Sequence, residues 1–286
     1  MSPYRLPDSL LEQLLLEDTP YGDATSFALG LSQHQGVMHC VARYDMVLCG
    51  SEEAQRMAEL RGLQIMLPAR PSGSVLSAGS PILSVQGAAD ALHAVWKPAQ
   101  TLMEYLSGIA SATAALVAAA RQGHPHASVA CTRKSFPGAK AAAIKAILAG
   151  GATPHRLGLS ETLLLFAEHR TFLAGHSPAE VVSRLQQGWG ERKVVVEVSS
   201  VAEALVWIDA GAEVIQLEKC TPTQLAEVVA VARQRNPRPL IAAAGGVTQA
   251  NATAYAQAGA DILVSSAPYS AAPKDVAVSI RALTAG

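Results

Sequence analysis

The residues best equipped for chemistry are Cys131-Thr132-Arg133-Lys134-Ser135-Phe136-Pro137-Gly138, read together with His155-Arg156 further along. Ala127–Ala130 is a short run of small and β-branched residues that reads as a buried strand, so Arg133 and Lys134 fall where that strand ends. Pro137-Gly138 punctuates the loop, and AKAAAIKAIL from Ala139 to Leu148 has high helix propensity with Gly150-Gly151 as its stop. The order is strand, cationic loop, helix. An arginine offers a planar fork and a lysine a compact point charge, so the adjacent pair suits two different anionic groups. Taken alone, the same loop reads more readily as a solvated basic turn.

Such a loop needs a scaffold, and the downstream sequence supplies one. Strands are expected near 127–131, 162–166, 193–197, 213–217, 239–243 and 261–264. Helices are expected after Gly138 and over Ser177–Gln187, Val201–Ala210, Pro222–Arg233 and Thr248–Gln257. The alternation implies a parallel sheet, and its regularity favours a barrel, whose active face lies at the carboxyl ends of the strands. Glu197, Glu218, Gly245-Gly246 and Ser265-Ser266 all stand at such ends. A strand-end glutamate alone is an ordinary capping residue and Gly-Gly an ordinary turn; their convergence on one rim is the functional signal. Gly245-Gly246 before Val247-Thr248-Gln249 would offer backbone N–H groups to a phosphate, with Ser265 and Ser266 beside it. Two carboxylates facing cations suit Mg²⁺ or sugar hydroxyls. The set reads as a site for a phosphorylated sugar and a second anion.

The first third is an α+β unit. Asp8-Ser9 is expected to cap a helix with leucines at 10, 11, 14 and 15 on one face, and Ser51 to open a second helix ending at Gly62. Strands are expected within Gly36–Gly50, Leu63–Leu67, Val75-Leu76 and Pro81–Val85. Ala88–Arg121 is helical in propensity but carries Pro98, which divides or kinks it. The domains are expected over 1–108, 109–270 and 271–286, the last packing back on the first.

The 286 residues are half apolar with a formal net charge of -1, which argues against a nucleic-acid binder. Cys40, Cys49, Cys131 and Cys220 make no metal-binding or CxxC spacing and read as reduced thiols. The longest apolar run, Ala112–Ala120, is short for a membrane span, so a cytoplasmic protein is expected. His124-Pro125-His126 reads as a loop rather than a metal pair, and Lys140 and Lys145 as solvated helix residues.

Thr132-Arg133-Lys134, Pro137-Gly138, His155-Arg156-Leu157-Gly158-Leu159, Leu106-Ser107-Gly108-Ile109-Ala110, Gly22-Asp23-Ala24-Thr25 and the series Glu197, Glu218, Gly245-Gly246 resemble the quinolinate phosphoribosyltransferase family, over almost the whole chain. The resemblance implies an α+β N-terminal domain, an incomplete α/β (TIM-like) barrel, and a homodimer whose sites lie between one subunit's barrel and its neighbour's N-terminal domain. It also implies Mg²⁺, phosphoribosyl pyrophosphate and an acid acceptor. By the same resemblance Arg133, His155 and Arg156 would face the acid, Lys134 the pyrophosphate donor, Glu197 and Glu218 the ribose and metal, and Gly245 and Gly246 the 5-phosphate.

The pattern also departs from the family. Gln100 stands in place of an arginine that in the family reaches across to the neighbour's acid site, Phe166 of a lysine, Ala167-Glu168 of an Asp-Asn pair, Glu218 of an aspartate and Ala244 of a serine. Losing two cations from a dicarboxylate pocket points away from quinolinate. The altered pattern resembles the family's ModD branch, associated with molybdenum transport, through Thr-Arg-Lys-Ser-Phe-Pro-Gly and Ser265-Ser266-Ala267-Pro268-Tyr269. The resulting expectation is a ModD-like pyrophosphorylase with an undefined acceptor. Alternatives are a true quinolinate phosphoribosyltransferase and an oxyanion- or nucleotide-binding protein without turnover. An aldolase-like enzyme is disfavoured because its Schiff-base lysine would have to be Lys193, at a strand start.

Overall fold

A computed structural model describes residues 4–283. Two compact units share the chain: one takes residues up to Ala114, Phe136–Gly151 and the segment from Pro268 onward, the other Ala115–Ser135 and Ala152–Ala267. The sequence division at 108 therefore differs from the spatial one. The helix after the cationic loop belongs with the first unit because its buried lysine is paired there, as described below.

In chain order the first unit contains α1 (Asp8–Asp18), α2 (Ala24–Ala28), β1 (Gln35–Ala42), β2 (Met46–Val47), α3 (Ser51–Leu60), β3 (Gln64–Leu67), β4 (Val75–Leu76) and β5 (Pro81–Ala88). β1 alternates strictly in burial, with Met38, Cys40 and Ala42 turned inward. The antiparallel register sets Met38 against Val85 and Ile280, and Cys40 against Leu83 and Val278. Leu11 and Leu15 of α1 and Ala54, Met57 and Ala58 of α3 complete this core. Pro7, not Asp8-Ser9, occupies the cap position of α1; Asp8 lies in the first turn and pairs with Arg56 at 2.8 Å. The strand Val276–Ala282 adds to β1, giving a four-stranded sheet.

α4 runs as one helix from Ala89 to Gly123 with Pro98 inside it, so the division into two helices, one of the two expectations, does not occur. At 35 residues it is, among the described residues, the one helix long and apolar enough to cross a membrane by length and composition, against the expectation of none. Half of its apolar window is buried within the protein.

The second unit carries β6 (Ser128–Cys131), β7 (Thr153–Pro154), β8 (Leu163–Leu165), β9 (Val194–Val198), β10 (Val214–Glu218), β11 (Leu240–Ala244) and β12 (Ile262–Ser265). Between β6 and β7 lies α5 (Lys140–Ala149); α6 (Ala167–Arg170), α7 (Pro178–Gly188), α8 (Val201–Asp209), α9 (Pro222–Ala232) and α10 (Gln249–Gln257) follow β8 to β11, and β13 is the Val276–Ala282 strand. All seven strands are parallel in the order β7-β6-β12-β11-β10-β9-β8. β7 and β8 are the two ends of the sheet, so the α/β barrel is incomplete, as expected. Helix starts are chemically specified: Ser177, Ser200 and Thr221 each accept an N–H three residues on, and Pro178 and Pro222 open α7 and α9.

Candidate functional site

Period-two alternation decides which strand residues can meet. Leu164, Val195, Val214, Ala242, Ala244 and Val264 pack together on one face of the parallel sheet. Glu197 follows Val195 by two residues, and Gln216 and Glu218 follow Val214, so all three share that face nearer the carboxyl ends. Register places Gln216 directly beside Glu197 on one side and Ala242 on the other, and Glu218 beside Ala244. The small alanines leave a cavity of about 360 Å³ above the apolar layer.

One part of its wall is cationic. Thr132, Arg133 and Lys134 follow β6, whose end is fixed by the Thr132 N–H donating to Ser265 O at 2.9 Å and the His155 N–H donating to Cys131 O at 2.7 Å. Arg156 is 8% exposed, and its guanidinium stands 5.6 Å from the Phe166 ring centre. Burial, with Arg133 nearby, lowers its pKa. Burial first, then the charges of Arg156 and Arg133, likewise holds His155 below the usual imidazole range, against an opposing contact with Gln216. The surroundings thus favour the uncharged form of His155, and Arg133, Lys134 and Arg156 are the cations of this wall.

The opposite part holds the carboxylates. Gln216 Nε2 donates to Glu197 Oε2 at 2.6 Å. Burial raises the Glu197 pKa, Gln216 counters it, Glu218 and Glu168 add to it, and Lys134 counters it. Glu218 lies against the Gly245 backbone: a Cβ there would sit 2.6 Å from its carboxyl carbon. Gly245 and Gly246 have φ of 76° and 86°, the left-handed region that suits glycine. Asn251 donates to Gly246 O at 2.9 Å and accepts the Thr248 N–H at 2.8 Å, holding this turn at the start of α10.

The cavity thus brings together Arg133, Lys134, His155, Arg156, Phe166, Glu197, Glu218, Gly245, Gly246, Ser265 and Ser266 from the sequence reading. One expectation changes. The Ser265 hydroxyl donates to Val247 O at 2.6 Å and accepts the Ala267 N–H at 3.1 Å in a residue 2% exposed, so it is a structural tie rather than a ready phosphate donor. Gln100, which the resemblance assigns to a neighbouring subunit's site, lies outside this cavity, with its amide engaged by Trp96, Lys97, Glu104 and Val276 O. Outside the cavity lining, Arg170 pairs with Glu203 at 2.7 Å and His169 Nδ1 accepts the Phe166 N–H. Gln216 is the site residue that the sequence reading missed; a polar residue at an inward position of VIQLE was its signal.

Among the described residues no group of three His, Cys, Asp or Glu gathers into a metal cage, and His124 and His126 meet edge to face at 5.9 Å. All four cysteines are free and buried; burial pushes the Cys131 thiol up to about 12, which disfavours it as a nucleophile.

Comparison with known proteins gives a consistent match. Residues 23–107 match the N-terminal domain and residues 109–279 the C-terminal domain of quinolinate phosphoribosyl transferase. A Rhodobacter capsulatus protein named as the pyrophosphorylase ModD is 47% identical over 87% of this chain and 95% of its own length. Its Escherichia coli O6:H1 counterpart is 35% identical over 96% and 97%. Among solved structures, NadC from Streptococcus pyogenes superposes with a TM-score of 0.88 at 25% identity, covering 97% of each chain.

Proposed function

This chain belongs to the quinolinate phosphoribosyltransferase family and is a phosphoribosyltransferase; from that premise we propose that its barrel cavity transfers the phosphoribosyl group of phosphoribosyl pyrophosphate to an N-heterocyclic acid, releasing pyrophosphate. The observation carrying this reading is the meeting of three cations and two carboxylates around one cavity beside a Gly-Gly turn. Lys134 holds pyrophosphate oxygens, Glu197 and Glu218 the ribose hydroxyls, and the Gly245-Gly246 backbone with Ser266 the 5-phosphate. Arg133 and Arg156 hold the acceptor's carboxylate, with His155 beside them.

Glu197 and Glu218, on neighbouring strands, would hold Mg²⁺, a hard cation suited to carboxylate and phosphate oxygens. When bound, the ion would neutralise charge on the departing pyrophosphate. The chain's own groups orient the two substrates. As the bond from C1 of ribose to pyrophosphate oxygen breaks, its electron pair leaves with pyrophosphate, and the acceptor nitrogen supplies the pair for the new C1–N bond. Glu197 and Glu218 face the positive charge that develops on the sugar, so fixed charge rather than a protein nucleophile lowers the barrier.

A calorimetric titration tests this. Wild type is expected to bind phosphoribosyl pyrophosphate with micromolar affinity only with Mg²⁺, and a Lys134→Ala, Glu197→Ala variant to lose that binding. Absence of binding by wild type under either condition would discard the transferase reading of this cavity.

Phe166 supports an acceptor with fewer carboxylates than quinolinate, because it places a ring over Arg156 where the family pattern has a lysine. Phe166→Lys is expected to tighten quinolinate binding by about tenfold, the effect of roughly 1.4 kcal/mol from one added pairing. Equal quinolinate affinities in both proteins would remove Phe166 as the discriminating group. A homodimer with shared sites and a link to molybdenum transport enter the same proposal through the likeness to the family and to ModD. The exposed Tyr21, Phe27, Tyr105 and Phe136 offer apolar surface for self-association.

A further inference from the structure

We infer that Gln216 is a positioning residue of the transfer site, holding Glu197 in one orientation toward the metal-bound donor; this rests on the function proposed above. Gln216 is 4% exposed, in the middle of β10, on a face otherwise built from Val214 below and Glu218 above. An uncompensated amide here would be costly, so its hydrogen bonds matter. Its Nε2 donates to Glu197 Oε2 at 2.6 Å across directly registered positions of β9 and β10. A carboxylate accepts and cannot donate, which fixes the amide with its N–H₂ toward Glu197 and its oxygen away from it. That oxygen is buried and meets no hydrogen-bond partner of good geometry among the described residues, and the amide's other contact is with the His155 ring.

The bond has a definite consequence for the carboxylate. With Oε2 held by Gln216, rotation of the carboxyl group is restrained and Oε1 is left for a ligand. Without the amide, Glu197 would be free to turn toward Lys134, whose charge already acts on it. An outer group that orients a ligating carboxylate typically accounts for 10–100-fold in metal affinity. Neighbouring Ala242 is too small to replace that support.

Calorimetry on wild type, Gln216→Met and Gln216→Asn separates the outcomes. Methionine keeps the volume but removes the donor; asparagine keeps the amide but withdraws it by one methylene. Both are expected to weaken Mg²⁺-dependent phosphoribosyl pyrophosphate binding by about tenfold or more. Binding of pyrophosphate without Mg²⁺, which the cationic wall governs, is expected to stay within twofold, as is the thermal midpoint within a few degrees. Equal weakening with and without Mg²⁺, or none in either variant, overturns the role of Gln216. Failure of wild type to show any metal-dependent donor binding instead overturns the proposed function, and this inference with it.

Discussion

Replacing Lys145 by methionine is expected to cost about 3–5 kcal/mol of stability, the usual result of removing one partner of a buried charge network. Lys145 reads in sequence as a solvated residue of an alanine-rich helix, yet it is 1% exposed in α5. Its Nζ lies 2.7 Å from Glu53 Oε2 and 3.1 Å from Glu52 Oε2. Glu53 is itself 2% exposed and also accepts the Leu6 N–H at 3.2 Å. Methionine fits the space but leaves two carboxylates facing each other without a cation. Adding Glu53→Gln removes one of those charges while keeping an acceptor for Leu6, so the double variant is expected to recover part of the loss. Urea midpoints of the three proteins measure this; a Lys145→Met variant within about 1 kcal/mol of wild type would contradict it. Acid sharpens the test. Burial pushes Glu52 up, but hydrogen bonds from the Ser72 hydroxyl and N–H, with Lys145, outweigh it, and its carboxyl sits below the ordinary range. A lowered folded pKa contributes stability that is present above the ordinary carboxylate value and is lost as pH falls through the lowered one. Without Lys145 that support shrinks, so acid unfolding of Lys145→Met should begin at higher pH.

Lys145 also shows where sequence reading stops. The parallel strands were legible because VVVEV, VIQLE and LIAAA are short apolar runs bounded by turn residues, and Glu197 and Glu218 stood out as charges at their ends. The same alternation could have identified Gln216, two residues before Glu218 and therefore on its face. Helix α5 offered no such contrast: in AKAAAIKAIL every face is small and apolar, so the burial of one lysine depends on Glu53, 92 residues away in sequence. Gln100, which the resemblance assigns to a neighbouring subunit's site, has local partners within α4. It lies four residues from both Trp96 and Glu104, and those helix neighbours take its amide. Ser265 was read as a phosphate donor from its place at a strand end, but the neighbouring loop brings Val247 O to within 2.6 Å of its hydroxyl. Residue type at a strand end was readable; the partners supplied by distant loops were not.

The second large effect is expected at Gly245. Two costs meet at this position and only one at its neighbour. Both Gly245 and Gly246 have positive φ, where an alanine costs roughly 1–2 kcal/mol. A Cβ on Gly246 would meet nothing within 4 Å, whereas on Gly245 it would lie 2.6 Å from Glu218 Cδ and 2.7 Å from each carboxylate oxygen. Glu218 cannot remain in place beside the added methyl group, and it stands at the end of β10 where Lys219 takes a positive φ of 58° and donates its N–H to Ala244 O. The strand end is thus tied to the strand that carries the glycine, so the carboxylate, the softer element, must swing away. Displacing a substrate-positioning group by about 1 Å costs on the order of 100-fold. Gly245→Ala is therefore expected to lose about that much in Mg²⁺-dependent affinity for phosphoribosyl pyrophosphate, with Gly246→Ala losing only a few-fold. Shortening the carboxylate provides the decisive control: Gly245→Ala combined with Glu218→Asp relieves the collision and should regain about tenfold over Gly245→Ala alone, since it leaves only the backbone strain. Equal losses in the two alanine variants, with no recovery in the double one, would place the effect in the strained turn itself and take Glu218 out of the donor's site.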